Sequence, residues 1–459
     1  MTPNLNARRS VGGPQIACML GAILAGLLGS SAQAQEPQGP QSSQAPTSAL
    51  VQPVVQTPRP YRGLFGAGTP AAPRGHILDL TASVYEEYGN LTDSDIPTSS
   101  VVLSPGWFLG VRGGLSFEKA AEHTRFGLRG EGSFRYYRNT HQTTLPRFRV
   151  ETALNRVTGP RNLNSVRFGG SADYEPYYTL SIFPSTVDVT GGTAIVPTSR
   201  DDLLIRRARY IYSQLFGFEQ RLSERTYISV SEDARYTHAA GTPGLDVSSI
   251  QAGLRYGYRV SRNASFRLGY AYQTGTYGQR PVNRLEANGL DLSFEYRKPL
   301  TPSRKTTIGF SSGALRVNSP SNSKWMVIGA ANLRHEMAKG WFIQGDFGRN
   351  VQLVEGFADP FFVNTATASV GGFMGRRVEL LASGAYSRGT VGFGSNNYHA
   401  LEGSARLRLA LARFIAIDTE GLINQHAFDN TVALAGVVPP VLNRWAVRCN
   451  VALWLPLSR

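Results

Sequence analysis

Between Ser248 and Tyr277 the chain alternates apolar and polar positions with a period of two. Ile250, Ala252, Leu254, Tyr256, Tyr258 and Val260 interleave with Gln251, Gly253, Arg255, Gly257 and Arg259. After the turn Ser261-Arg262-Asn263-Ala264, the residues Phe266, Leu268, Tyr270 and Tyr272 interleave with Arg267, Gly269, Ala271 and Gln273. Successive strand residues point to opposite faces, so a run of about ten such residues gives a strand one apolar and one polar face. A soluble sandwich would bury an apolar face too, and one hairpin does not separate the two cases. The recurrence of the pattern along nearly the whole chain does, and it predicts an all-β, closed antiparallel transmembrane β-barrel.

Turn spacing sets the expected topology. Short turns fall at 119–123, 222–225, 261–264, 299–303, 335–340, 376–377 and 412–413, with longer connections between them at 89–106, 183–202, 239–247, 278–285, 317–322, 354–363, 391–397 and 427–442. Outer-membrane barrels have short periplasmic turns and longer outer loops. Between the strand near 125–138 and the one near 203–221, two strands are needed to restore direction, and 147–157 and 165–182 fill those places. The count is then about 18 strands, even, with both ends in the periplasm. Aromatic residues on these strands, such as Tyr136, Tyr210, Tyr212, Phe216, Tyr256 and Tyr270, suit the girdles at membrane interfaces.

The first 75 residues read differently. Arg8 and Arg9 precede an apolar stretch from Ile16 to Leu28, followed by Ala32-Gln33-Ala34 and Gln35. These are the charged, apolar and cleavage regions of a secretory signal peptide, so 1–34 is expected to be removed. The apolar stretch is shorter than the roughly 20 residues of a spanning helix. Residues 35–75 are rich in Pro, Gln, Ser and Ala and are expected to form a disordered periplasmic linker. The barrel is expected over 76–459. Mean hydropathy is −0.20 and apolar residues make up 41%, so no second helical span is expected. Removal of 1–34 leaves Cys449 as the single cysteine, in the apolar phase of the last strand, with no intramolecular disulfide to form.

Charge adds a chemical expectation for the lumen. Pointing the aromatic and aliphatic phase toward lipid sends Arg112, Arg129, Arg135, Arg207, Arg209, Arg235, Arg255, Arg259, Arg267, Arg406, Arg408 and Arg448 inward. A midplane arginine facing lipid would cost about 2–4 kcal/mol, which favours this phase. Glu118, Glu131, Glu219, Asp233, Asp291, Glu295 and Glu402 share the inward face, and cross-strand Arg–carboxylate ladders are one use of the set. Removing two signal-peptide arginines from 47 basic residues leaves 45 against 32 acidic ones, a formal charge of +13. Fixed positive charge in a low-dielectric lumen attracts anions and repels cations.

Enzymatic chemistry finds no anchor in the sequence. The seven histidines are dispersed without metal-ligand spacing. The adjacent pair Asp201-Asp202 has no located histidine partner, and glycine pairs such as Gly371-Gly372 suit strand packing better than phosphate binding. No catalytic residue, metal or cofactor is expected. Basic residues are spread along the chain instead of forming a patch, so nucleic acid is not an expected partner.

The segments 254–275 (LRYGYRVSRNASFRLGYAYQTG) and 289–313 (GLDLSFEYRKPLTPSRKTTIGFSSG), with the alternating last strand Trp445 to Leu455, resemble uncharacterised Gram-negative outer-membrane β-barrel proteins. In strand count and arginine-lined wall the chain is more distantly similar to barrels that export acidic polysaccharides, including the alginate exporter. Such barrels usually end in Phe or Trp, whereas this chain ends Pro456-Leu457-Ser458-Arg459. The inward arginines on such a barrel lead to the expectation of a passive, anion-favouring outer-membrane pore, with polysaccharide export as its narrower form. Outer-membrane lipid, anionic solutes or polysaccharide, and periplasmic export machinery are the implied partners, and the oligomeric state stays open. The alternative is a structural or adhesive barrel with a plugged lumen, and the loop at 183–202 suits a constriction in either case.

Overall fold

The computed structural model describes residues 75–92, 103–137, 145–158, 163–176, 208–240, 246–277, 284–301, 304–320, 322–337, 341–352, 354, 357, 359–394, 396–429 and 440–458. The expected signal peptide, the expected linker up to residue 74, the loop at 183–202, Asp201-Asp202 and Arg207 lie outside the described residues, and Gly75, expected to end the linker, opens the first strand.

Eighteen strands follow one another as an antiparallel meander. They are β1 (Gly75–Thr92), β2 (Leu103–Ala120), β3 (Thr124–Tyr137), β4 (Leu145–Thr158), β5 (Asn164–Glu175) and β6 (Arg209–Arg221). Next come β7 (Thr226–Ala239), β8 (Val247–Arg259), β9 (Ala264–Tyr277), β10 (Arg284–Thr301), β11 (Arg304–Asn318) and β12 (Ser323–Glu336). The circuit ends with β13 (Phe342–Gln352), β14 (Phe361–Met374), β15 (Val378–Val391), β16 (Asn396–Ala412), β17 (Ile415–Phe428) and β18 (Val441–Ser458). Each strand pairs with the next, and β18 pairs back onto β1 from Leu78↔Ser458 to Gly89↔Ala446. Closure gives every strand a partner on both sides, which is the condition for a sheet to span lipid, although β12 and β13 pair only from Gly329↔Arg349 to Glu336↔Phe342, leaving the outer end of β12 without a partner on that side.

The outward face is apolar. Val84, Val111, Leu128, Val150, Leu254, Leu268, Leu292 and Val451 are all exposed, and the residues between them face the lumen. Cross-strand contacts such as Phe134 with Phe148 (6.2 Å between centroids) and Tyr212 with Tyr236 (6.5 Å) join neighbouring strands on this face. Cys449 is a free, exposed thiol between Arg448 and Asn450, in the outward phase of β18. An exposed apolar face around a closed barrel makes this a transmembrane barrel of the bacterial outer membrane.

Both ends of the ladder and the short turns at 121–123, 222–225, 260–263, 375–377 and 413–414 share one end, expected to be the periplasmic one. Two outer connections depart from the expected alternation. Those at 319–322 and 392–395 are as tight as the inner turns, because the strands continue to Asn318 and Val391 and start again at Ser323 and Asn396. Gly392 closes the second with φ 74, a conformation open to glycine at little cost. The orientation is checked in a Cys449→Ala background by impermeant maleimide on intact cells. Pro320→Cys, at an exposed position of the first of these connections, is expected to label. Asn263→Cys is expected to stay unlabelled until the outer membrane is permeabilised; the reverse result would invert the topology.

Candidate functional site: the inner wall

The densest part of the inner wall lies at the seam where β18 meets β1. Glu87 is fully buried and sits opposite Arg448 in the register. Arg448 donates to Glu87 Oε2 through Nη2 at 2.6 Å and Nε at 2.9 Å, and Arg444 Nη2 donates to Oε1 at 2.8 Å. Arg448 also lies 3.9 Å from Glu420 on β17. Tyr85, two residues from Glu87 on the same face, lies flat across Gly110, where a Cβ would fall 2.1 Å from its ring. The guanidinium groups of Arg448 and Arg112 stand 5.3 and 5.8 Å from the Tyr85 ring, and Arg135 Nε donates to its hydroxyl at 3.3 Å. Glycine at 110 is thus what lets the ring lie against the wall between two cations.

The neighbouring strands continue this arrangement as ladders. Glu131 is shared by Arg129 at 2.7 Å and Arg112 at 3.2 Å. Glu175 on β5 binds Arg147 at 2.6 Å and accepts from Arg209 Nε, also at 2.6 Å. On the other side of the seam, Arg408 bridges Asp418 at 2.5 Å and Glu379 at 3.3 Å, with Arg406 3.9 Å from Glu379. Arg267 meets Glu295 at 2.6 Å. Arg235 lies two positions from Asp233 on the same face of β7. These contacts fix side chains on a wall where neighbouring strands alternate charge.

Arg255 and Arg259 differ. They occupy inward positions of β8, and neither forms an ion pair among the described residues. Gly257 lies between them, and the Tyr227 ring covers it so closely that a Cβ would fall 2.1 Å from the ring. The two positions therefore flank an aromatic plate, and the Arg255 stem shares the space over Gly269 with the Asp291 side chain, to which it forms no ion pair. Every described arginine of the expected set lies in the inward phase of its strand, but most are occupied by carboxylates or rings.

A second inner feature was not legible in the alternation. On β12, Trp325 is 68% exposed, so Lys324 and Met326 on either side of it face inward. Met326 packs with Val247, Leu285, Leu315 and Val317, and Lys324 Nζ lies 4.6 Å from the Phe362 ring. Phe357, from the connection between β13 and β14, is 3% exposed. Its ring stands 4.7 Å from Phe361 and 5.4 Å from Phe428, with Tyr398 4.9 Å from Phe361. At least this part of an outer connection folds inward and lines the outer end of the lumen with aromatic rings. The run Phe361-Phe362 was the available signal, since two adjacent aromatics break a period of two.

The dispersed histidines serve separate local contacts: His238 with Asp246 at 3.1 Å, His335 with Thr306 at 2.9 Å, and His426 beside Phe428. Among the described residues no group of three or more His, Cys, Asp or Glu could hold a metal ion. Gly371 and Gly372 take the rings of Phe342 and Trp341, whose atoms a Cβ would approach at 2.9 and 2.4 Å.

No family model and no curated protein matches the chain. Among solved structures it is similar to Pseudomonas aeruginosa OccK2 (OpdF) in complex with glucuronate, at 9% identity and a TM-score of 0.46, over 83% of this chain and 98% of that one. It is similar to Acinetobacter baumannii OccAB4 at 10% identity and 0.44, over 85% and 100%. It is also similar to Pseudomonas aeruginosa OccK1 (OpdK) at 11% identity and 0.44, over 83% and 98%. At these values the likeness assigns no role to any residue of the inner wall.

Proposed function

We propose that the protein is a passive outer-membrane pore that favours anionic solutes, with export of an acidic surface polysaccharide as the narrower form of the same reading. The observation that carries it is the pair Arg255 and Arg259, inward and without a carboxylate partner among the described residues. A paired arginine contributes little field beyond its own ladder, whereas an unpaired one in a low-dielectric wall attracts anions and repels cations. Arg groups that hold carboxylates weakly and in series would select without trapping.

The second reading, a barrel with a plugged lumen, is favoured by the inward fold at Phe357. Planar-bilayer recordings across a potassium chloride gradient separate the two. The pore reading expects conductance with a reversal potential on the anion side. Cation preference would overturn it. So would the absence of conductance in folded protein carrying Val354→Gly and Phe357→Gly, which release the inward segment.

A further inference from the structure

We infer that the outward face of β13 to β16 carries a binding site for a phosphate-bearing glycolipid of the outer leaflet. Arg349, Asn364, Arg388 and His399 are consecutive partners in the strand registers Arg349↔Asn364, Asn364↔Arg388 and Arg388↔His399. They form one lateral row across four strands, and all four are exposed. The row belongs to the outward phase: two positions nearer the membrane centre on the same strands stand Phe347, Ala366, Tyr386 and Leu401. One further step in, Gly345, Ala368, Gly384 and Gly403 are again in register, a run without large side chains.

Arginine on a lipid-facing wall is tolerable only near the interface, and the row lies at the outer end of its strands. Neither Arg349 nor Arg388 has an ion pair among the described residues. Asn364 Nδ2 donates to the Arg388 carbonyl at 3.4 Å, holding the two strands' polar groups together. Among the described residues, the carboxylates beyond the row are Asp359, beside Gly392, and Asp429, which accepts from Asn397. Both lie on the loop side, so the side facing the membrane is left to the cations.

Strands are about 4.8 Å apart, which puts the Arg349 and Arg388 backbones roughly 10 Å from each other. Guanidinium groups bind phosphate bidentately, and two at this spacing suit the two phosphates of an acylated glucosamine headgroup. The acyl chains would lie over the Gly345–Gly403 row, between Phe347 and Leu401. The charge complements a doubly phosphorylated headgroup, and the apolar rows below it suit the attached chains. The inference depends on the membrane face and not on transport.

The test is native mass spectrometry of the full-length protein in detergent with added diphosphoryl lipid A, and with its dephosphorylated analogue. Wild-type protein is expected to retain the diphosphoryl form at least 10-fold better. Arg349→Gln with Arg388→Gln is expected to abolish that preference and leave conductance unchanged. Arg284→Gln with Arg316→Gln is the control, because Arg284 is paired with Glu286 at 2.9 Å and Arg316 donates to Ser323. Equal weakening by both pairs would mean general charge attraction and overturn the site, as would competition by millimolar inorganic phosphate alone. Should the glutamine pair fail to fold, Arg349→Lys with Arg388→Lys decides. Lysine keeps the charge but not the bidentate fork, so a folded lysine protein with the full wild-type preference would overturn the guanidinium site.

Discussion

Replacing Glu87 with Ala is expected to lower the unfolding free energy by about 3–5 kcal/mol, the cost of leaving buried charges without their counter-ion. Glu87 is fully buried and holds both Arg444 and Arg448, which are themselves largely buried. Arg448 would then face the Glu420 carboxylate at 3.9 Å. Glu87→Gln retains an acceptor oxygen but not the charge, so it should fall between wild type and Ala. Replacing all three residues together by apolar ones of similar volume should recover most of the loss, because the uncompensated charges leave with the carboxylate. The measurement is urea unfolding in lipid vesicles, followed by tryptophan fluorescence and by the mobility shift of folded barrels. A loss under about 1 kcal/mol for Glu87→Ala would show that lumen water solvates the two arginines, contrary to their burial.

Reversing the charges of Arg255 and Arg259 to Glu is expected to turn the pore from anion-favouring to cation-favouring, a several-fold change in permeability ratio. A charge reversal at a paired position would act differently. Arg408→Glu, facing Asp418 at 2.5 Å and Glu379 at 3.3 Å, would place like charges together and mainly destabilise the wall. Ion selectivity and unfolding midpoint, recorded for both variants, therefore separate a field effect from a ladder effect. Unchanged selectivity in folded Arg255→Glu, Arg259→Glu protein would remove the basis of the anion reading. Reversal in the Arg408 variant with no stability loss would show that paired arginines also set the field.

Much of this architecture could be read along the chain because a period of two is a local property. The inward phase of Arg255 follows from Tyr256 beside it, and the eighteen strands follow from the direction each turn imposes. The interactions on the wall could not be read, because they depend on register between strands distant in sequence. That Glu87 meets Arg448, 361 residues away, needs the closing pair β1 and β18 to be aligned to the residue. A shift of one would point every partner to the other face. Similarly, nothing in the sequence joins Arg349 to Arg388 until β14 sets Asn364 between them. Phe357 shows a different limit. It lies in a connection, where no periodicity tells inward from outward, and only the rings of Phe361 and Phe428 give it a place.

The seam between β1 and β18 also bears on how the barrel is made. Every other neighbouring pair is joined by a connection that can close soon after its strands emerge, whereas this one unites opposite ends of the sheet. Contacts of such separation carry the largest loop-closure entropy and form late. Until they form, the growing sheet has two free edges, each offering a row of unpaired amides and carbonyls to any passing strand. The interval before closure is thus when a second copy could enter the ladder. Oppositely charged side chains on the two edges, Glu87 on one and Arg444 and Arg448 on the other, would favour the correct mate over a self-copy of either edge.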